Sequence, residues 1–206
     1  MSHELKTPLQ GIIGSAELLE SGMVKQEDTP RFVGHIRREA SRLVNLIEDI
    51  IRLSQLDEGV ALPTETVDML QLSEDVKVIL QPSAQERNVT ITVSGAGFSV
   101  VGVRRLLQEV VYNLCDNAIK YNVPGGTVTV LVENRRLVVS DTGIGIPAEH
   151  QDRIFERFYR VDKSHSKASG GTGLGLSIVK HAAAYHKATV CVESTPGKGT
   201  SISIQF

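Results

Sequence analysis

Apolar residues in the first part of the chain recur at alternating steps of four and three residues. The first run consists of Leu5, Leu9, Ile12, Ala16, Leu19 and Met23. After the polar stretch KQEDTP, the same spacing returns at Val33, Ile36, Ala40, Leu43, Ile47 and Ile50. This spacing keeps apolar side chains on one face of a helix. The pattern therefore predicts two long helices joined by a short polar loop, the second beginning at Thr29 and Pro30.

This helical hairpin carries more apolar surface than two helices can cover between them. Leu46, Ile51 and Leu53 widen the apolar face beyond the alternating seam. Two copies of the hairpin would bury that surface in a symmetric four-helix bundle, which is the arrangement we expect. The alternative is a hairpin that packs against the remainder of its own chain.

A different pattern follows the stretch DEGVALPTETVD, in which Gly59 and Pro63 interrupt the helical spacing. We expect two domains, over residues 1–60 and 64–206. Helices are predicted over 69–88, 103–122 and 175–186, and strands over 89–95, 127–141, 188–195 and 200–206, with a hairpin turn near Asn134 and Arg135. The fold class is therefore α+β, and the second domain is an α/β sandwich with a mixed, mainly antiparallel sheet and helices on one face.

Composition narrows the range of functions. The 206 residues carry a formal net charge of −2, which argues against a general nucleic-acid binder. We expect no membrane span and no signal peptide, because no run of 18 apolar residues and no charged leader occurs. The helical pattern is already under way at Ser2, so we expect a fragment of a longer chain. Cys115 and Cys191 stand singly in apolar stretches and are predicted to be buried thiols.

The first candidate chemistry lies on the predicted helix around residue 113. Asn113 and Asn117 share a face with Glu109 and Lys120. Two amides one turn apart can hold a hydrated divalent cation and phosphate oxygens together, and Lys120 adds a positive charge. The alternative is a solvated polar face.

The second candidate is the stretch VVSDTGIGIP, where an apolar strand ends in Asp141. A carboxylate there can accept a hydrogen bond from an exocyclic amine such as N6 of adenine. Gly143 and Gly145 allow the backbone to approach a ligand closely. The alternative is a simple turn at the exit of a hairpin.

The third candidate is the glycine-rich stretch GGTGLGLS, which precedes the predicted helix over 175–186. Free backbone N–H groups at the start of a helix can bind an anion. In the preceding stretch RIFERFYRVDKS, two aromatic rings can anchor the loop and three basic side chains can reach phosphates. These residues are Phe155, Phe158, Arg157, Arg160 and Lys163. Thr200, in the closing stretch GKGT, can offer a hydroxyl to a bound base.

In this order, the motifs resemble those of the sensor histidine kinases of two-component systems, over almost all of the chain. SHELKTPL is similar to the phosphoacceptor box, NLCDNAIKY to the N box, DTGIGIP to the first glycine box and RIFERFYR to the F box. GGTGLGLS and GKGT are similar to the remaining glycine boxes. The resemblance implies a dimerisation and histidine-phosphotransfer hairpin, followed by an ATP-binding domain shared with gyrase and the Hsp90 chaperones.

The resemblance also assigns roles within the nucleotide site. Asn113 and Asn117 would hold Mg²⁺ and the ATP phosphates, with Lys120 assisting. Tyr121 would lie along the adenine, and Asp141 would accept from its amine. The remaining nucleotide-binding residues that it implies are Gly143, Gly145, Ile146, Phe155, Phe158, Arg160, Gly171, Thr172, Gly173, Leu174, Gly175 and Thr200. Asn113 stands where gyrase-type ATPases carry a water-activating glutamate, so hydrolysis of ATP should be poor.

The opening stretch SHELKTPL becomes interpretable beside an ATP site. An imidazole is largely neutral near pH 7, so a ring nitrogen of His3 can attack the γ-phosphate while Glu4 accepts the proton. Pro8 removes one helical hydrogen bond and is expected to bend the helix just past His3. By resemblance, Thr7 would position the water that dephosphorylates a response regulator. Taken alone, His3 would be interpreted as a surface histidine.

We therefore expect an ATP-dependent protein-histidine kinase that autophosphorylates on His3. Its implied partners are a second copy of the chain and the receiver domain of a response regulator, with no nucleic acid. Any membrane anchor would lie upstream, so the chain is expected to be a cytoplasmic fragment of a bacterial sensor. The alternatives are a degenerate ATP-binding scaffold and a gyrase- or chaperone-like ATPase. One departure from the family pattern is Val103, where an aspartate often caps the N-box helix.

Overall fold

Two long helices open the chain, as the apolar spacing predicts. The computed structural model describes residues 2–57, 62–161 and 172–206, with the backbone alone for residues 2–4, 52, 53 and 55–57. Helix α1 spans Ser2–Glu20 and continues through a buried Pro8, and helix α2 spans Thr29–Asp57. The side chains of His3, Glu4 and Leu53, together with Lys163 and Gly171, lie outside this description.

The apolar residues of the hairpin divide between two faces. One set is half-buried and consists of Leu5, Ile12, Leu19, Ile36, Leu43 and Ile50. The other remains exposed and consists of Leu9, Ile13, Val33, Val44, Ile47 and Ile51. Leu18, on the opposite side of α1 from Leu9, and Met23, beyond the end of α1, are also exposed but do not belong to this set. The predicted seam thus mixes residues of both faces, because a helix covers only the stripe that faces its neighbour. We call the exposed set the outer stripe.

Beyond the hairpin, the chain alternates short strands and helices. In chain order the elements are β1 (Glu65–Asp68), α3 (Met69–Glu86), β2 (Thr90–Ser94), β3 (Ser99–Gly102), α4 (Arg104–Lys120), β4 (Thr127–Glu133), β5 (Arg136–Asp141), α5 (Ala148–Gln151), α6 (Gly175–Tyr185), β6 (Thr189–Thr195) and β7 (Gly199–Gln205). All three predicted long helices are confirmed. Strands β1 and β3, which pair with each other and are only four residues long, were not predicted from the sequence.

The main sheet has the strand order β2-β4-β5-β7-β6. Strands β2 and β4 run parallel, and every other pairing is antiparallel, so the predicted mixed, mainly antiparallel sheet is confirmed. The turn between β4 and β5 lies at Asn134 and Arg135, both with positive φ, as two-residue hairpins require. Alternate residues of β4 and β5 are buried beneath α3, α4 and α6, which places one face of the sheet in the core.

The hairpin also contacts the second domain. Leu46 of α2 is buried together with Leu174 and Ile178, and partly buried side chains of Leu5, Ile50 and Phe158 surround them. We call these residues the docking cluster. The contact leaves the outer stripe exposed, so packing on its own chain does not cover the hairpin.

The N-terminus of α4 lacks a side-chain cap from its own Val103. Instead, the backbone N–H of Val103 donates to Nε2 of His186, 3.0 Å away, and Nδ1 of His186 lies 2.7 Å from the carbonyl oxygen of Ala182. An N–H can only donate and a carbonyl can only accept, so the ring is neutral with its proton on Nδ1. His186 therefore satisfies the N–H of the N-cap residue itself, a different group from the first helical N–H groups that a side-chain cap at position 103 would bind.

The two cysteines differ in environment. Cys115 is buried in the core, and burial raises the pKa of its thiol to about 12, as expected for an inert thiol. Cys191 is exposed, so the prediction of burial was wrong there, because its side chain alternates to the open face of β6. None of the described helices combines the length and apolar character that crossing a bilayer needs.

Replacing His186 should destabilise the chain. His186→Ala leaves the N–H of Val103 buried without its acceptor, and we expect the free energy of unfolding to fall by about 1–3 kcal/mol. Denaturant unfolding monitored by circular dichroism measures this change. Lys180→Ala, at an exposed position of the same helix, is the matched control. Equal effects of the two substitutions would show that the hydrogen bond from Val103 to His186 does not stabilise the chain.

Candidate functional site

Strand periodicity brings two of the predicted residues to one face of the sheet. Leu137 and Val139 of β5 point into the core, and Asp141 is the next residue on that face. On the neighbouring strand β7, Thr200 shares its face with the buried Ile202 and Ile204. Asp141 and Thr200 therefore lie beside each other at the edge of the core, facing α4.

Asp141 is held by two backbone N–H groups. Its Oδ1 accepts from Gly143 N at 2.8 Å and from Thr200 N at 3.2 Å. Burial raises the pKa of the Asp141 carboxyl, while these two hydrogen bonds lower it, and burial dominates. Both bonds end on Oδ1, and no bond to Oδ2 occurs among the described residues. The carboxylate thus has an oxygen with which to accept a bond from a ligand.

The polar face of α4 forms a second wall. Nδ2 of Asn113 donates to the carbonyl oxygen of Glu109, 2.8 Å away, which leaves the amide oxygen toward α6. A Cβ at Gly175 would lie 2.6 Å from that oxygen, so any larger residue there would push the Asn113 side chain out of this position. Nζ of Lys120 donates to Oδ2 of Asp116 at 2.6 Å, so its charge is shared with a carboxylate on its own helix.

The glycine turn after β5 packs on the end of α4. A Cβ at Gly143 would lie 2.3 Å from the carbonyl oxygen of Tyr121, and Ile144 N donates to that same oxygen. Gly145 has a φ of +69°, and a Cβ there would meet the backbone of Thr195. The contacts of Gly143 and Ile144 with Tyr121 fix the distance between Asp141 and the end of α4, and the approach at Gly145 fixes the turn against β6.

Together these walls enclose a cavity of about 670 Å³. The predicted residues that line it are Asn113, Asn117, Lys120, Tyr121, Asp141, Gly145, Ile146, Arg160, Thr172, Gly173, Gly175 and Thr200. Most of the predicted nucleotide-binding set is therefore brought together in one place, although its members are spread over almost ninety positions of sequence.

Four predicted residues lie outside the lining. Gly143 touches the end of α4, and Phe155 is half-buried elsewhere. Leu174 is fully buried in the docking cluster, and Phe158 packs beside it. Phe158 N donates to the carbonyl oxygen of Gly173 at 2.9 Å, which connects the F box to the glycine-rich stretch. Arg157 also lies outside and contacts Nε2 of His181 at 3.2 Å.

Half of the residues that line the cavity were not predicted from the sequence, among them Arg87, Asp116 and Tyr159. The hydroxyl of Tyr159 lies 2.6 Å from Nδ1 of His150. The guanidinium of Arg153 lies 4.3 Å from the centre of the Tyr159 ring. Tyr159 and Asp116 belong to motifs already quoted, so their position in those motifs could have identified them. Arg87 follows α3, far from every motif, and only the fold brings it to the cavity.

Comparison with known families assigns both halves of the chain. Residues 1–59 match the family described as the His Kinase A (phospho-acceptor) domain. Residues 102–206 match the family of histidine kinase-, DNA gyrase B- and HSP90-like ATPases, which covers half of the chain. The chain belongs to the sensor histidine kinases. Its second domain is thus of an ATP-binding family.

Relatives agree with this assignment. The chain is 37% identical to the sensor-like histidine kinase SenX3 of Mycolicibacterium smegmatis over 217 residues, covering 100% of this chain and 55% of the relative. It is 35% identical to the phosphate regulon sensor protein PhoR of Pseudomonas aeruginosa, covering 100% of this chain and 48% of the relative. The chain spans about half the length of the curated relatives it matches.

Solved structures share the fold. The Acinetobacter baumannii histidine kinase AdeS superimposes with a TM-score of 0.79 at 24% identity, over 98% of this chain and 97% of that one. The mycobacterial sensor histidine kinase MprB superimposes with a TM-score of 0.58 at 31% identity, over 69% of this chain and 95% of that one. The kinase relatives disfavour the scaffold and the gyrase- or chaperone-like ATPase.

Asp141→Asn should lower the affinity for ATP without lowering the stability of the folded chain. The substitution presents an amide that can offer a donor to the adenine amine, and the lost charge-assisted bond should lower ATP affinity by tens of fold to about a hundredfold. Because the pKa of Asp141 is raised in the folded chain, ionised Asp141 lowers the free energy of unfolding at pH values above this pKa. This destabilisation disappears as the pH falls through the pKa of the folded state. The variant without nucleotide should therefore unfold no more easily than the original chain at neutral pH.

Isothermal titration and thermal unfolding at pH 7 measure the two quantities. Asp152→Asn, at an exposed carboxylate, is the matched control and should alter neither. Unchanged ATP affinity in Asp141→Asn would remove Asp141 from the nucleotide site.

Proposed function

We propose that this chain is the catalytic core of an ATP-dependent protein-histidine kinase that transfers the γ-phosphoryl group of ATP to His3. One observation carries the proposal: a carboxylate and two amides, Asp141, Asn113 and Asn117, line one cavity in a chain whose first helix begins with a histidine in the phosphoacceptor family. The proposed domains are residues 1–60 for dimerisation and phosphotransfer and residues 64–206 for ATP binding.

The base of ATP is proposed to bind at the Asp141 end of the cavity. Oδ2 of Asp141 would accept from the exocyclic amine of adenine while Oδ1 stays fixed by the two backbone N–H groups. The half-exposed Tyr121 would lie along the base. Thr200 faces the same space, but its hydroxyl already exchanges a hydrogen bond with Ser194 at 2.8 Å.

The phosphates are proposed to lie between α4 and the start of α6. Amide oxygens are ligands that suit Mg²⁺, and the amide oxygen of Asn113 is left for such a role because its Nδ2 binds Glu109. Mg²⁺ would neutralise phosphate charge when bound, with Asn113 and Asn117 as its proposed protein ligands. No cluster of three or more His, Cys, Asp or Glu that could hold a metal occurs among the described residues, which agrees with a site built from amides and substrate phosphates.

Phosphoryl transfer exchanges one bond for another. A ring nitrogen of His3 forms a bond to the γ-phosphorus, the bond from phosphorus to the bridging oxygen breaks, and ADP leaves. Glu4 is proposed to accept the proton from the other ring nitrogen. Asn113 occupies the place of a water-activating glutamate and cannot serve as a base, which favours transfer to His3 over hydrolysis.

A dimer is proposed from the outer stripe of the hairpin. Leu9, Ile13, Ile47 and Ile51 remain about half exposed, at spacings of four residues that keep them on one face of each helix. A second hairpin packed on this face would bury them in a four-helix bundle.

The proposed acceptor of the phosphoryl group is an aspartate in the receiver domain of a response regulator. A structural relative, histidine kinase ThkA, was solved in complex with the response regulator protein TrrA. Thr7 is exposed on the first helix, where a regulator can approach, and is proposed to position water for dephosphorylation of that regulator. We propose a cytoplasmic location, with any membrane anchor in segments upstream and no nucleic-acid partner.

Substitution of the phosphoacceptor tests the reaction. His3→Gln should abolish labelling of the protein by γ-labelled ATP and leave nucleotide affinity nearly unchanged. The original chain should acquire acid-labile, base-stable label. Label that persists on His3→Gln would place the acceptor elsewhere, and release of free phosphate without label on the protein would indicate an ATPase.

The same assay, extended by decay of a phosphorylated regulator, separates the two neighbours of His3. Glu4→Ala should slow autophosphorylation more than regulator dephosphorylation. Thr7→Ala should keep autophosphorylation and lose most of the dephosphorylation, because its hydroxyl can both donate to and accept from a water. Equal loss of both activities in Thr7→Ala would assign Thr7 a structural role.

A charge placed in the outer stripe should dissociate the dimer. Ile47→Asp puts an unpaired carboxylate at the centre of the proposed interface, so sedimentation should report a monomer where the original chain is a dimer. Val78→Asp is the matched control, since Val78 is an equally apolar but 72% exposed residue on α3, outside the hairpin. A dimer that survives Ile47→Asp would place the interface on another surface.

A further inference from the structure

The hydroxyl of Thr172 connects the cavity to the helical hairpin. Thr172 lines the cavity, and its Oγ1 donates to Oδ2 of Asp49 on α2 at 3.0 Å. The same oxygen accepts a longer bond, of 3.3 Å, from the backbone N–H of Leu174. A residue of the cavity wall is thus hydrogen-bonded to the helix that follows the phosphoacceptor helix.

A threonine hydroxyl has only one hydrogen to donate. While that hydrogen points at Asp49, Thr172 cannot donate to a phosphate oxygen in the cavity. Donation to a nucleotide therefore requires the bond to Asp49 to break. The two uses of this hydroxyl exclude each other.

Asp49 also places a carboxylate at this side of the cavity. Since like charges repel more strongly near a protein surface than in bulk water, Asp49 opposes a ligand in proportion to the charge near Thr172. A triphosphate is opposed more than a diphosphate, and an uncharged nucleoside hardly at all. The hydrogen bond to Thr172 and the charge of Asp49 both lower the affinity of the cavity for a polyphosphate.

The contact is anchored by packing as well as by this polar bond. Leu174, two residues after Thr172, and Ile178 of α6 are almost fully buried against Leu46 of α2, one helical turn before Asp49. Thr172 and the docking cluster therefore belong to one continuous contact between the start of α6 and α2. If Thr172 separates from Asp49, the packing of Leu174 and Ile178 against Leu46 is also disturbed.

We propose that Asp49 is a positioning residue that makes nucleotide affinity depend on whether the ATP-binding domain is docked on α2. In the docked arrangement, Asp49 holds the Thr172 hydroxyl and repels polyphosphate. Binding of ATP with a hydrogen bond from Thr172 releases α6 from α2, which frees the ATP-binding domain to move relative to His3. This inference rests on the proposed function, because it takes the cavity to be the ATP site.

Binding must then be reciprocal: whatever docking does to ATP affinity, ATP does to docking. The opposite interpretation is that the Thr172–Asp49 bond only stabilises the contact between the domains. In that case, removing Asp49 would loosen the contact and leave nucleotide affinity unchanged.

The first experiment measures nucleotide affinity by isothermal titration with AMP-PNP, ADP and adenosine on the full chain. Asp49→Ala should bind AMP-PNP about fivefold more tightly or better, ADP less so, and adenosine with unchanged affinity. Asp49→Asn keeps an acceptor for Thr172 and removes only the charge, so its gain should be smaller. Glu48→Gln, at an exposed carboxylate next along the same helix, is the control for a general charge effect and should change no affinity.

The second experiment measures docking itself by hydrogen exchange of the backbone amides of residues 43–51 in α2. Saturating AMP-PNP should speed their exchange in the original chain, and Asp49→Ala without nucleotide should already show the faster rate. Circular dichroism verifies that each variant is folded.

The results of the titrations distinguish failure of this proposal from failure of the proposed ATP site. AMP-PNP affinity that stays within twofold of the original in Asp49→Ala, or that falls, overturns the proposal. An equal gain for AMP-PNP and adenosine also overturns it, because the effect would not follow phosphate charge. Failure of the original chain to bind AMP-PNP at all would instead contradict the function proposed for the cavity.

Discussion

The site depends on one helix that serves the core and the cavity at once. The apolar side of α4, with Leu107, Val110 and Leu114, is buried against the sheet, and its other side carries Asn113 and Asn117. Because these faces belong to one rigid helix, the packing of the core fixes the height of the two amides above Asp141. The turn at Gly143, pressed on the end of the same helix, fixes their lateral distance.

Two features at or beside the cavity lower the stability of the folded chain. A half-buried carboxylate with a raised pKa favours its protonated form, so ionised Asp141 weakens the fold at neutral pH. Phe158 adopts a φ of 64°, a conformation that bulky residues rarely take, where its backbone pairs with Gly173. Both features lie at or beside the cavity, where such strain is expected if binding is what the fold is organised for.

The two halves of the chain are joined by a small contact and leave a large apolar surface uncovered. The docking cluster buries Leu46, Leu174 and Ile178, whereas the outer stripe along the hairpin stays exposed. A small contact between domains can be broken and remade at modest cost in free energy, which suits the proposed function, in which the ATP-binding domain moves relative to the hairpin. A broad, continuous apolar stripe suits a permanent partner instead.

Sequence alone determined the elements and the kind of chemistry, because helix and strand periodicity are local and because motifs carry their own residue types. It predicted the hairpin, the three long helices that follow it, the turn at Asn134 and Arg135, and half of the residues that line the cavity. It did not predict β1 and β3, which are too short to show a period, and it gave no sign that the side chain of Leu174 is buried against Leu46. Arg87, His186 and Asp49 were beyond its reach, since each acts on a residue more than thirty positions away. Those pairings were decided only by tertiary structure, because a contact between distant segments depends on how every element between them packs.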